Sequence, residues 1–139
     1  MSSIFLGLPD ELILKVLSYT EIADLLSCGQ VNKRIRTISD DNSLFQIMNL
    51  SDKCVLTDLL ARVLNKGCKS LNLSNSSIWG NMNLIQNSQL RELDLSNCRL
   101  TTYYIRLVHI SQLRKLDLSN CYGTTYNVYK NWLHHAILC

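Results

Sequence analysis

Apolar residues recur through the second half of the chain in a repeated short pattern: one apolar position, two variable ones, an apolar one, one variable one, and a third apolar one. Leu90, Leu93 and Leu95 make one such block and Leu113, Leu116 and Leu118 the next, and segments 90–98 and 113–121 differ only in Glu92 against Lys115. Inside a block the alternation has period two, which predicts a short strand. Equivalent positions Met48, Leu71, Leu93 and Leu116 are separated by 23, 22 and 23 residues. A constant period of this length predicts a solenoid, in which each coil buries its apolar face only against its neighbours.

The intervening segments predict the return paths. "VLTDLLARVLNKG" places Val55, Leu56, Leu59, Leu60, Val63 and Leu64 at helical spacing and ends at Gly67, a helix-stop position. "TTYYIRLVHISQ" puts Tyr104, Leu107 and Val108 on one stripe, with Thr101 or Thr102 available as N-cap. "NMNLIQNSQ" is short and Asn-rich and predicts an irregular or single-turn connection.

Written out, the pattern is the leucine-rich-repeat template L-x-x-L-x-L-x-x-N/C-x-L. Leu90, Leu93, Leu95, Cys98 and Leu100 fill it completely; Leu113, Leu116, Leu118 and Cys121 fill it with Gly123 in the last slot, and Cys68, Leu71, Leu73, Ser76 and Ile78 precede them. Leu71, Leu73, Leu93, Leu95, Leu116 and Leu118 are expected to form one buried ladder of parallel strands. The outward strand positions would line a concave face: Ile47, Asn49 and Ser51, then Ser70, Asn72 and Ser74, then Glu92, Asp94 and Ser96, then Lys115, Asp117 and Ser119. Asp94 and Asp117 would then lie side by side at the strand spacing of about 4.8 Å, where like charges are mildly unfavourable. That placement is either repeat filler screened by solvent or a site for a basic partner, and Asn72, Ser74, Glu92, Asp94, Lys115 and Asp117 are the candidate substrate-binding residues.

The first 45 residues follow another logic. "LPDELILKVLSY" sets Pro9 before a helix, Asp10 and Glu11 in its first turn, and Leu12, Ile13, Val16 and Leu17 on its apolar face. Thr20 is placed to cap a second helix running through Leu26, and a third is predicted from about Gln30 to Ile38 with Val31, Ile35 and Ile38 inward. Three short helices make a marginal core, so a leftover apolar face calls for cover by a partner or by the first repeat. The expected architecture is α+β, an α/β solenoid: a helical module over residues 1–45, then about four coils over 46–139, the last incomplete.

Composition changes this picture little. The 139 residues are 47% hydrophobic and 18% charged, with a net charge of +3, and the basic residues are scattered among acids, which gives no indication of nucleic acid or an anionic membrane as partner. The opening residues lack a leader pattern and no apolar run is long enough to span a bilayer, so a cytoplasmic or nuclear location is expected. The six cysteines include no C-x-x-C, and His134-His135 would diverge on a helix, so buried thiols are expected and no metal or other cofactor. No acid–base pair, activated nucleophile or phosphate loop appears, so the chain is not expected to be an enzyme itself.

Residues 8–45, with L-P-x-E-L at the start and D-L-L, V-x-K-R and D-N-S-L-F following in order, resemble an F-box. Followed at once by cysteine-bearing repeats, they match the arrangement of F-box/leucine-rich-repeat proteins, and "SLFQIMNLS" is similar to the junction in the S-phase-kinase-associated branch. The resemblance implies a non-catalytic substrate receptor of a Skp-cullin-F-box ubiquitin ligase. Its F-box would bind a Skp-type adaptor and, through it, cullin and RING subunits, while the repeats hold a protein target. Carried over by position, adaptor contacts would come from Leu8, Pro9, Ile13, Val16 and Leu17, from Ile22, Leu25 and Leu26, and from Val31, some of these serving instead as module core. Thr20-Glu21 stands where the family usually has Leu-Pro, and Ile35 and Phe45 stand where it usually has Trp.

At the observed spacing, the next slot of the ladder falls at residue 138 or 139. Either a helix from Asn127 through Leu133, carrying Trp132, caps the stack, or the chain is a short or truncated member. Two other readings share these features: a truncated receptor that occupies the adaptor without delivering cargo, and a plain repeat scaffold whose first helices merely cap the solenoid. The last predicts that the "LPDEL" edge is packed inward.

Overall fold

A computed structural model describes residues 7–123 apart from 29 and 31. The chain divides into two compact units, Met1–Phe45 and Gln46–Cys139. Val31, the expected capping helix over 127–133 and His134-His135 lie outside the described residues.

The first unit contains helices α1 (Asp10–Leu17), α2 (Ile22–Cys28) and α3 (Lys33–Ser39) and a 3₁₀ turn over Asn42–Phe45. Pro9 caps α1, its carbonyl accepting from the N–H groups of Leu12 and Ile13 at 3.0 and 3.1 Å. Acids in the first turn and Lys15 in the last suit the helix dipole. Thr20 does not cap α2. Its hydroxyl donates back to the Val16 carbonyl, and the first backbone bond of α2 runs from Leu25 N–H to the Glu21 carbonyl. The third helix starts later than its apolar spacing predicts, because the Asn32 side chain accepts from Ile35 N–H at 2.8 Å and so sets the N-cap. Both α1 and α2 pack on α3, and Ile13, Leu17, Ile22, Leu25, Ile35 and Ile38 are buried. Arg34 of α3 ties down the start of α1, donating to the Leu8 carbonyl at 2.6 Å and to the Asp10 carboxylate at 2.8 Å. That ion pair is exposed and contributes little on its own.

The second unit is built on β1 (Ile47–Asn49), β3 (Ser70–Asn72), β5 (Glu92–Asp94) and β6 (Lys115–Asp117), all parallel and in that order. Met48, Leu71, Leu93 and Leu116 are register partners, as the period predicts. They and the second row, Leu50, Leu73 and Leu95, are buried. Leu118 is the exception in the expected ladder: it is half-buried, following the strand that ends this sheet among the described residues.

After each strand the chain turns sharply through a residue in the left-handed region: Asp52, Asn75, Asn97 and Asn120, with φ between 51° and 59°. Asn and Asp tolerate that conformation better than other side chains. The turns are stitched together, Asp52, Asn75 and Asn97 donating their N–H groups to the carbonyls of Ser74, Ser96 and Ser119 on the next coil.

The return paths contain one departure. Val55 and Leu56, assigned to a helix by their spacing, form part of strand β2 (Cys54–Leu56), which pairs parallel with β4 (Ser77–Trp79). Helix α4 spans only Thr57–Asn65, with Leu60, Val63 and Leu64 inward, and the chain leaves it at Gly67. A 3₁₀ turn over Met82–Leu84 makes the second return, and α5 (Thr102–Ile110) the third, with Tyr104, Leu107 and Val108 buried. Thr101 is the α5 N-cap but makes no side-chain capping bond.

Candidate protein-interaction surfaces

The apolar stripe of α1 divides into two rows. Ile13 and Leu17 are buried, whereas Leu12 and Val16 are 44% and 47% exposed, and Tyr19 beyond the helix end is 83% exposed. Leu12 and Val16, four residues apart, share the outer side of the helix, and the exposed Tyr19 follows just past its end. Pro9 is exposed and Leu8 half-buried at its leading end, and the adjoining Asp10 and Glu11 are exposed. Of the residues carried over as adaptor contacts, Ile13, Leu17, Ile22 and Leu25 thus lie in the interior of the module, while Leu8, Pro9, Val16 and Leu26 keep accessible surface. Leu12 and Tyr19 complete the exposed set and were not among the carried-over positions. The i+4 partner of Val16 was the signal that marked Leu12.

On the second unit, a depression of about 400 Å³ lies over the sheet, lined by Ile47, Asn49, Ser70, Asn72, Glu92, Asp94, Lys115 and Asp117. The candidate substrate-binding residues are therefore gathered on one face, except that Ser74 does not line the depression. Asp94 and Asp117 are register partners, as expected. Their carboxylates have local work, however. In Asn49, Asn72, Asp94 and Asp117 alike, Oδ1 accepts from the N–H two residues on, at Ser51, Ser74, Ser96 and Ser119, each at 2.9 or 3.0 Å. This is the Asx turn that ends each strand. The equivalence of Asn and Asp at this slot shows that the turn needs an acceptor and not a charge. Glu92 and Lys115, opposite in charge, are also register partners, and Glu92 accepts from the Ser70 hydroxyl at 3.3 Å.

The Ser119 hydroxyl, and then its N–H, hold the Asp117 carboxyl below its ordinary value of 3.8. A carboxyl depressed in the folded state stabilises the fold above the unfolded value, and that contribution is lost as pH falls through the lower folded value. Asp117→Asn keeps the acceptor without the titration. Its urea midpoint, measured from about pH 6 down to about pH 2.5, is expected to fall less steeply below pH 4 than that of the parent protein. Parallel curves would refute this.

The cysteines of the turn slot bond from coil to coil. Cys98 donates its thiol hydrogen to the Leu73 carbonyl at 3.1 Å and Cys121 to the Leu95 carbonyl at 2.9 Å. Ser76 fills the same slot in the coil before, bonding the Leu73 carbonyl and facing the hydroxyl of the buried Tyr104. Burial pushes the Cys68 thiol up to about 11 and raises Cys121 and the Tyr104 phenol as well. The turn-slot thiols of Cys98 and Cys121 thus act as hydrogen-bond donors between coils. Among the described residues no group of His, Cys, Asp or Glu is placed to hold a metal, and no helix is long and apolar enough to cross a membrane.

An exposed apolar row on a three-helix module, joined to a leucine ladder, is the geometry of two binding modules in series. The F-box-like family profile matches residues 5–51 and the leucine-rich-repeat profile matches residues 89–108. The chain carries an F-box-like module followed by a leucine-rich repeat. No curated protein matches it. The two profile matches establish the F-box/leucine-rich-repeat arrangement and leave its S-phase-kinase-associated branch as a resemblance only. F-box modules bind Skp-type adaptors and leucine-rich repeats bind proteins, which makes this F-box/leucine-rich-repeat chain a receptor or an interaction scaffold.

Proposed function

We propose that this protein is a substrate-recognition subunit of a Skp-cullin-F-box ubiquitin ligase, its F-box docking on the Skp-type adaptor and its repeats holding a target protein. The observation that carries the reading is the exposed set Leu12, Val16 and Tyr19 with Pro9 beside it: large apolar side chains left in water next to the buried core of Ile13, Leu17, Ile22, Leu25, Ile35 and Ile38. Through the adaptor the chain would meet cullin and RING subunits, in the cytoplasm or nucleus. Catalysis there is proximity, since confining the target raises the effective concentration of its lysines at a thioester on another protein.

The test is co-purification with a Skp-type adaptor. Burying a Leu or Val side chain is worth about 1.5 to 3 kcal/mol, and binding energy concentrates in a few such anchors. Leu12→Asp/Val16→Asp is therefore expected to weaken adaptor binding at least about a hundredfold, with the helical content retained because Ile13 and Leu17 are untouched. Undiminished binding by the folded variant would remove the reading. Ubiquitylation of a bound protein by the reconstituted ligase then separates a delivering receptor from one that only occupies the adaptor.

A further inference from the structure

The solenoid brings together charges that are far apart in the sequence. Gln46, Lys69, Arg91 and Arg114 occupy the same position on successive coils, just before each strand. Their backbones are linked in series: Lys69 N–H donates to the Gln46 carbonyl at 2.9 Å, Arg91 to Lys69 at 2.8 Å and Arg114 to Arg91 at 2.7 Å. Three cations thus stand in one column at the strand spacing of about 4.8 Å, where like charges are unfavourable.

Among the described residues nothing acidic neutralises the column. The Lys69 ammonium bonds the neutral Gln89 side chain at 2.7 Å. Neither the Arg91 nor the Arg114 guanidinium has a hydrogen bond or ion pair among the described residues, and both residues are exposed. The carboxylates of Asp94 and Asp117 are at the opposite ends of their strands, and Glu92 belongs to the adjoining column, where Lys115 is its register partner. Between Lys69 and Arg91 lies a depression of about 280 Å³ that contains no carboxylate, floored by Leu90 and edged by Ser88, Gln89 and Gln112.

We propose that this column docks a short acidic segment of a partner protein, laid in extended form across the coils. Two strand spacings span about 10 Å, the length of about three extended residues, and because side chains alternate, carboxylates two residues apart, about 7 Å, face the column together and reach the long Lys69, Arg91 and Arg114 side chains. Guanidinium groups suit carboxylates because they bind them in bidentate fashion. A long polyanion fits less well, since the next position of the column beyond Lys69 is the neutral Gln46. The proposal is independent of adaptor docking and involves only the repeats.

The experiment titrates the full chain against a fluorescein-labelled peptide of about six glutamates, followed by anisotropy at about 50 and about 200 mM salt. Arg91→Ala/Arg114→Ala is expected to weaken binding about tenfold or more at the lower salt, and Arg91→Lys/Arg114→Lys to retain part of the affinity. Lys53→Ala/Arg99→Ala, which removes the same charge elsewhere on the repeats, is expected to stay within about twofold. Thermal unfolding of Arg91→Ala/Arg114→Ala should be unchanged or shifted upward. The proposal is overturned if the peptide does not bind, if both alanine pairs weaken binding equally, or if duplex DNA displaces the peptide as well as unlabelled peptide does at equal charge.

Discussion

Leu95→Ala is expected to lower the unfolding free energy of the repeat unit by about 3 to 4 kcal/mol, a large part of the roughly 5 to 15 kcal/mol that holds a domain folded. Leu95 is fully buried, and its N–H donates to the Asp117 carbonyl at 2.9 Å. The residue therefore cannot swing away to relieve a neighbouring void. Leu73 is fixed in the same row by its own bond to the Asp94 carbonyl, and Leu71, Leu93 and Leu116 are buried in the adjoining row and held in parallel register, so collapse into the space left by three carbons is limited. A comparison within the same row sharpens the expectation. Leu118, half-buried just after β6, has less surface to lose, so Leu118→Ala should cost about half as much or less. Urea unfolding followed by circular dichroism measures both, and equal losses at the two positions would contradict the ladder.

The second large effect is expected at Gly80. Its φ of 128° lies where side chains are strained, and a Cβ built there would overlap Thr57 Oγ1 and come within 3.3 Å of Thr57 Cβ. Thr57 cannot readily yield, being the first residue of α4 and 1% exposed. Gly80 is also held from the other side by Tyr103, whose hydroxyl donates to its carbonyl at 3.0 Å. Gly80→Ala should therefore cost about 2 to 4 kcal/mol through clash and backbone strain together. Thr57→Ala removes most of the clash and leaves the strain, so the double variant should recover at least about 1 kcal/mol relative to the sum of the single changes. Additive losses would show that the contact with Thr57 is not the cause. Thr57 Oγ1 is also a buried hydroxyl with no partner among the described residues, so the position offers little stabilisation to set against its cost.

The repeat unit was legible in the sequence because its defining property is a period. Once Met48, Leu71, Leu93 and Leu116 are aligned, strand direction, register and the outward residues follow, and the sheet bears this out. Val55 and Leu56 were misassigned because a strand of three residues followed directly by a helix supplies too few alternations to show a period of two. Their pairing with Ser77–Trp79 is a long-range event that local spacing does not encode. In α1 the apolar positions were evident, yet which of them faced inward depended on where α3 lies, and that is tertiary information.

The roles of side chains were less legible than their positions. Asp94 and Asp117 have the appearance of a charged site, and only the coordinates reveal that Asn49 and Asn72 perform the same turn-closing task. Conversely, Lys69, Arg91 and Arg114 look scattered along the chain because their separation is the coil length, which conceals a cluster from any search for runs of charge.

The regular stitching of the coils also bears on how the repeat unit reaches its folded state. Register partners in the main sheet are always 22 or 23 residues apart, so no strand must find a partner across the whole chain. Every step closes a loop of nearly the same size, and the entropy of closure grows only with the logarithm of that size. Once two neighbouring coils have met, each further one is added to an existing template at a constant entropic cost. Assembly of this kind can start at any pair of neighbouring coils and propagate as a zipper, so its speed is set by forming the first pair and depends little on the number of turns that follow.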